Sequence, residues 1–352
     1  MINLSHINLS PIHLGGINLS EIKLGMPSGK GTGGEETFDP ASFDQAWTIT
    51  GKTNDDEDRA TVKNLTGNGN DLVLSNFVFA EDSGYGNYPF SPSASLSEGQ
   101  PYGTLHFKTD GSYSNLVKSN VTSIRIKFNL RDMQEGGVLS VRALDIDTAL
   151  VIKGESYTTD GSYEFIYDDP AKPANIVFYN GTSSTGRFNF YVDIIPDYEG
   201  YLVTDGVDDS IRSSIFELGK DWTIIGDWML FETPKYIGAG IIKPQSIYVY
   251  NTSVGLQFFV NTTQLSFSIS GIKSVNAICS DGRIYTNDWS EIINDKVGTV
   301  TSSNNSLIMG FNSSNTSFTK MAFKNLAVYD GKVLTKDQCI NAYNYLQTLK
   351  EK

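Results

Sequence analysis

The sequence predicts an all-β chain: two β-sandwich, jelly-roll-like domains behind a short N-terminal repeat segment, with one α-helix at the C-terminus. Three observations lead there. Short apolar runs alternate with polar residues through most of the chain. Clusters of Gly, Asn and Asp separate the runs at even spacing, and a helical pattern appears only near the end.

Composition sets the limits. A chain of 352 residues is longer than one core usually fills. Its 19 Phe and 18 Tyr supply large side chains for burial, and only 19% of residues are charged. The balance of 27 basic to 40 acidic residues leaves a formal charge of −13, which repels a phosphate backbone, so no nucleic-acid partner is expected. No apolar run approaches the roughly twenty residues that span a bilayer, and the N-terminus lacks the basic start and apolar stretch of a secretory signal. No membrane partner is expected, and synthesis in the cytoplasm is. Cys279 and Cys339 are too few for a disulfide framework; reduced core thiols are favoured over a single bridge. The histidines are His6, His13 and His106, which argues against a zinc or catalytic histidine cluster.

Residues 1–25 form the first element. They repeat with a period of five, placing Ile2, Leu4, Ile7, Leu9, Ile12, Leu14, Ile17, Leu19, Ile22 and Leu24 in Ile-x-Leu units, each followed by Ser or Gly. Ile-x-Leu sets two β-favouring side chains on one face of an extended segment, and the small residue permits a corner. Such units cannot bury their apolar face alone, so other chains are expected to complete them, in a homo-oligomer or on a larger assembly. A sticky tail is the plainer alternative. Residues 26–36 are Gly-rich and read as a linker; they lack the Gly-Lys-Ser/Thr ending of a phosphate loop.

Residues 37–197 form the first expected sandwich. Ile124, Ile126, Phe128 and Leu130 alternate with Arg125, Lys127 and Asn129, which predicts a strand with one inward face. A boundary is expected near 196–200, and residues 198–352 form the second sandwich. Its last element is a helix, because Thr335 and Gln338 have capping-box spacing and Cys339, Ala342, Tyr343, Leu346 and Leu349 share one face.

Two segments of that second sandwich carry a resemblance. Tyr201–Ile211, with Asp205-Gly206-Val207-Asp208-Asp209, resembles the opening strand of laminin-G-like and concanavalin-like domains, and 323–338 resembles their closing strand and terminal helix. This implies a binding or structural module. A third stretch, 47–77, is similar to modules in virion proteins of gut Bacteroides phages of the crAss-like type, as are the N-terminal repeats. This implies a head or tail fibre or a capsid decoration, made in the bacterial host's cytoplasm and carried on the virion. It would be anchored to other virion proteins through 1–25, a homo-oligomer with a trimer favoured, and would face a host-surface glycan.

The candidate chemistry is sparse. Asp205, Asp208 and Asp209 are the calcium candidates, weighed against plain turn formation, and no other cofactor is implied. The Asp55–Asp58 run is read first as a solvated loop. Trp222 and Trp228 are assigned to the core, and Trp289, in a polar stretch, is kept as a glycan contact. No Glu-x-Asp-x-x-Glu strand is present; Asp145 and Asp147 are the nearest pair and read as an exposed strand face. Without a nucleophile elbow or catalytic residues, an enzyme is not expected. A lectin-like adhesin is the main alternative to a virion structural role, and a polysaccharide depolymerase the more distant one.

Overall fold

A computed structural model describes residues 38–351, apart from 182–185, 232–237, 244–246, 253–254, 261–262, 267–274, 294–301, 310–317 and 319. The Ile-x-Leu units and the Gly-rich stretch lie outside the described residues.

The chain is all-β with one long C-terminal helix, as its alternation predicts. Its strands build two separate cores. The first lies between two large antiparallel sheets. One sheet runs, in spatial order, Glu291–Ile293, Arg283–Thr286, Val275–Cys279, Trp222–Leu230, Met321–Asp330, Leu202–Val203 and Gly84–Tyr85. Gln45–Thr48 joins it on Met321–Asp330, pairing Trp47 with Leu326. The facing sheet begins Thr61–Val62, Leu72–Ser75, Ser210–Arg212 and Ser302–Met309. Trp47, Trp222, Leu72, Ile211, Phe323 and Leu326 meet between them.

Two four-stranded sheets enclose the second core. One runs Gly161–Asp168, Ser123–Arg131, Phe190–Ile195 and Thr104–Phe107, the other Ser114–Val121, Ala174–Asn180, Leu139–Asp145 and Val151–Tyr157. Along Ser123–Arg131, Ile124, Ile126, Phe128 and Leu130 are buried, while Arg125 and Asn129 are exposed and Lys127 is half-buried. Phe178 sits at the centre, within 6.5 Å of the rings of Phe90, Phe107 and Phe128.

This division differs from the expected one. Strands between Gln45 and Tyr85 belong with the C-terminal half, not with the 37–197 unit in which adjacency had placed them. They contribute to both of its large sheets: Gln45–Thr48 and Gly84–Tyr85 to one, Thr61–Val62 and Leu72–Ser75 to the other. The sandwich built from residues 87–197 is therefore an insertion into the other. Its two ends lie side by side: the Gly86 N–H donates to the Tyr201 carbonyl at 2.8 Å, Tyr198 N–H to Gly86 at 3.0 Å and Asp197 N–H to Asn87 at 3.1 Å. Close ends are what allow a domain to be inserted in a loop without distorting its host. The strand Met321–Asp330 explains why the host needs its N-terminal pieces. Gln45–Thr48 covers 325–328 and Leu202–Val203 covers 322–323, so two short segments far apart in sequence complete one long edge.

The helix Lys336–Thr348 forms as its sequence predicts. The Thr335 side chain accepts from Gln338 N–H while the Gln338 side chain accepts from Thr335 N–H, and Cys339, Ala342 and Leu346 are buried. Both cysteines are buried free thiols. Among the described residues, no helix is long and apolar enough to cross a membrane.

Candidate functional site

The insertion creates a junction, and the junction holds a cleft of about 360 Å³. The host sandwich supplies Ile49 to Asp55, Tyr201 and Lys324; the insert supplies Tyr88 and Tyr102; Glu199 comes from the connection between them. Local chemistry fixes each wall. The Asn54 side chain acts as a substitute strand neighbour for Tyr85, donating to its carbonyl at 3.1 Å and accepting from its N–H at 2.8 Å. That bond pair anchors the loop that carries Lys52 and Asp55. Lys52 is neutralised there by Asp58 at 2.7 Å and Glu351 at 3.6 Å.

Tyr88 is held by what surrounds it. Gly86 has φ +102° and Gly103 has φ +88°; a Cβ at Gly103 would lie 2.6 Å from the Tyr88 ring, and one at Gly86 would lie 3.3 Å from it. Only glycine combines those backbone angles with that closeness. Tyr102 meets Tyr88 edge to face, with centroids 4.8 Å apart. Burial pushes both phenols up to about 12, so each remains a neutral hydroxyl at physiological pH.

The cleft's charged lining is Asp55, Glu199, Lys324 and the paired Lys52. Asp55 and Glu199 are exposed, and among the described residues neither forms an ion pair. Asp55 accepts from Tyr102 N–H at 2.6 Å, a bond between host and insert. The Lys324 ammonium lies 6.0 Å from the centre of the Tyr201 ring. The Tyr102 hydroxyl itself is buried, so a pinned, half-buried Tyr88 ring beside two exposed carboxylates is what the cleft offers for stacking and for accepting hydrogen bonds.

The residues singled out by sequence lie elsewhere. Asp205, Asp208 and Asp209 do converge, each offering a carboxylate oxygen within 4.8 Å of the others. They sit on the turn between Leu202–Val203 and Ser210–Arg212, where the chain crosses from one sheet to the other. Both readings of the trio find support. Asp205 closes the turn, accepting from Val207 N–H at 2.7 Å and Asp208 N–H at 3.3 Å. Asp209 is fully buried; one of its oxygens accepts from Asp205 N–H at 2.7 Å and the other has no hydrogen-bond partner. Burial raises its carboxyl to about 7, partly offset by its hydrogen bonds. An orphaned, buried carboxylate oxygen beside two more acids suits a hard divalent cation, so these residues fit calcium.

Trp289 is half-buried, edge to face with Tyr343 at 5.5 Å. Trp222 and Trp228 are core residues. Asp145 closes a strand and braces a turn rather than lining an exposed strand face, because its Oδ1 accepts from the N–H groups of Asp147 and Thr148. In the acidic run, Asp56 caps Thr53 and Asp58 pairs with Lys52, leaving Asp55 to the cleft. Sequence reasoning missed Tyr88, Tyr102 and Glu199. The one local signal was the pairing of tyrosine with glycine, in Tyr85-Gly86-Asn87-Tyr88 and Tyr102-Gly103.

Fold and cleft together define an all-β protein of two sandwiches, one inserted in the other, with an aromatic and carboxylate-lined cleft where they join. No family model matches the chain, and no curated protein matches it. Among solved structures it is similar to the N-terminal CBM22-1-CBM22-2 tandem domain from Paenibacillus barcinonensis Xyn10C, at 10% identity and a TM-score of 0.20, over 71% of this chain and all of that one.

Proposed function

We propose that the chain is a non-catalytic attachment protein whose inter-sandwich cleft recognises a neutral glycan. The observation that carries this reading is Tyr88, held between Gly86 and Gly103 in a cleft rimmed by the exposed carboxylates of Asp55 and Glu199. The C–H face of a sugar ring is weakly positive and matches the negative face of an aromatic ring, while its hydroxyls donate to carboxylates. A volume of about 360 Å³ falls in the range of small-molecule sites, roughly 300–1,000 Å³. A chain of formal charge −13 with exposed carboxylates at the rim disfavours anionic polymers. The resemblance of 1–25 and 47–77 to virion proteins supports placing this recognition on a phage particle, with the Ile-x-Leu units as the anchor.

The test is a glycan array carrying neutral and acidic bacterial surface polysaccharides, probed with the full chain and with Tyr88→Ala. Retention of neutral glycans that Tyr88→Ala loses, with no hydrolysis products released, supports the reading. Retention that Tyr88→Ala leaves intact, or no retention at all, sinks it.

A further inference from the structure

Tyr201, in the cleft wall, also begins a chain of side-chain contacts that leads away from the cleft. The Tyr201 hydroxyl donates to one oxygen of Asp227 at 2.9 Å, and the other oxygen of that carboxylate accepts from the Tyr343 hydroxyl at 3.2 Å. The Tyr343 ring in turn meets Trp289 edge to face, and Trp289 lies 6.2 Å from Tyr285. A row of side chains therefore leads from the cleft wall, across the strand Trp222–Leu230, to the helix Lys336–Thr348 and on to the turn after Arg283–Thr286. Tyr201, Asp227, Tyr343 and Trp289 are each half-buried, so each keeps part of its surface in solvent.

Two features set this row apart from ordinary packing. The first is the backbone of Trp289. Its φ is +63°, a left-handed conformation that a bulky side chain rarely adopts. The surrounding turn enforces it: Trp289 N–H donates to Thr286 at 2.9 Å, Ser290 N–H donates to Asp288 Oδ1 at 2.9 Å, and Thr286 N–H donates to Ser290 at 3.1 Å. Strain of this kind persists only where surrounding contacts over-determine it, and it gathers at binding sites. The second is Asp227, which spends both oxygens on tyrosine hydroxyls. It fixes the orientation of two aromatic rings that stand on different elements, and rigid aromatics cost a ligand little ordering entropy.

We propose that the cleft and this row form one continuous track for an extended, linear, neutral oligosaccharide. The cleft takes one stretch of it, and Tyr343 with Trp289 takes a stretch further along. This rests on the reading of the cleft as a glycan site. Successive sugar units along such a chain present faces and hydroxyls repeatedly, which a row of aromatics with intervening hydroxyls matches and a single pocket does not. Of the two lysines along the way, Lys52 is paired with Asp58 and Glu351 and Lys324 stands at Tyr201, so among the described residues no run of unpaired positive charge favours a polyanion.

Chain-length dependence tests the track. Cello-, malto- and mannooligosaccharides, from disaccharide to octasaccharide, are titrated calorimetrically into the full chain, Trp289→Ala, Tyr343→Phe and Tyr88→Ala, with thermal unfolding of each variant as a folding control. The expected result is that affinity for one of these series rises with length. Trp289→Ala then removes the gain, about tenfold for the longer members, the size of one good aromatic contact. Tyr343→Phe keeps the ring, frees Asp227 and reduces the same gain. Disaccharide binding with no rise in affinity, or a rise that a folded Trp289→Ala retains, overturns the track and leaves the cleft reading standing. Binding of long members that Tyr88→Ala does not weaken overturns both, and so does no binding by any series.

Discussion

The Asp55 carboxylate accepts a hydrogen bond from the backbone N–H of Tyr102 at 2.6 Å, and that bond crosses from the host sandwich to the insert. It ties the loop that carries Asp55 to the strand-leading turn that carries the Tyr102 ring, both of which line the cleft. Because Asp55 is exposed, the bond adds little to global stability; solvent-exposed polar interactions are worth about 1 kcal/mol or less. Asp55→Ala is therefore expected to weaken glycan binding several-fold while leaving the thermal midpoint nearly unchanged. Parallel calorimetry and differential scanning fluorimetry check this, and a large fall in the midpoint would show that the bond is mainly structural.

A methyl group at position 103 tests the pinning of Tyr88. At φ +88°, with a Cβ 2.6 Å from the ring, Gly103→Ala is expected to cost about 1–3 kcal/mol in stability and to displace the ring. Glycan affinity should fall with it. Urea unfolding measures the first effect and titration the second; unaltered affinity in Gly103→Ala would mean that Tyr88 does not need its present position.

The Asp turn predicts a pH dependence of definite sign. Asp209 is raised to about 7 in the folded chain and lies near 4 when unfolded, so folding favours its protonated form. Its contribution is complete below about pH 4 and is lost as pH rises toward 7, lowering stability by a few kcal/mol across that window. Asp209→Asn should flatten the slope. A divalent cation favours the ionised form and works in the opposite direction, so millimolar calcium should raise the thermal midpoint at pH 8 more than at pH 5 in the native chain, and not in Asp209→Asn. A pH-independent midpoint, with calcium inert, would leave the trio as turn formers only.

The insertion topology makes a prediction about fragments. A polypeptide of residues 198–352 lacks the strands Gln45–Thr48, Thr61–Val62, Leu72–Ser75 and Gly84–Tyr85 and leaves the edge of Met321–Asp330 bare over 325–328. It is expected to aggregate or remain unfolded. A polypeptide of residues 87–197 carries both sheets of the insert and its whole aromatic core, and should fold alone with a cooperative transition. Circular dichroism melts of the two fragments separate these outcomes, and a folded 198–352 would contradict the assignment of 39–86 to the host.

What the sequence made legible was local. The alternation from Ile124 to Leu130, the capping box of Thr335 and Gln338, and the burial of Trp222 and Trp228 each depend on neighbours within a few residues, and the structure shows all three. The convergence of Asp205, Asp208 and Asp209 was legible for the same reason, since one turn brings them together. The membership of 39–86 was not. Trp47 pairs with Leu326 across most of the chain, its strand has four residues, and no periodicity in so short a run points to a partner that distant. The cleft was hidden by the same topology. Tyr88 and Tyr102 belong to one sandwich and Asp55 and Tyr201 to the other, and only the insertion places them face to face. Tyrosines flanked by glycines read as turn residues until the backbone shows what the missing Cβ atoms make room for.

The central claim, that the junction cleft holds a neutral glycan against Tyr88, is tested most directly by calorimetric titration of the neutral oligosaccharide retained on the array into the full chain and into Tyr88→Ala. The account predicts saturable binding that falls at least about tenfold in a variant with an unchanged melting transition, the loss of one aromatic stacking contact. Equal affinities in the two proteins would contradict it.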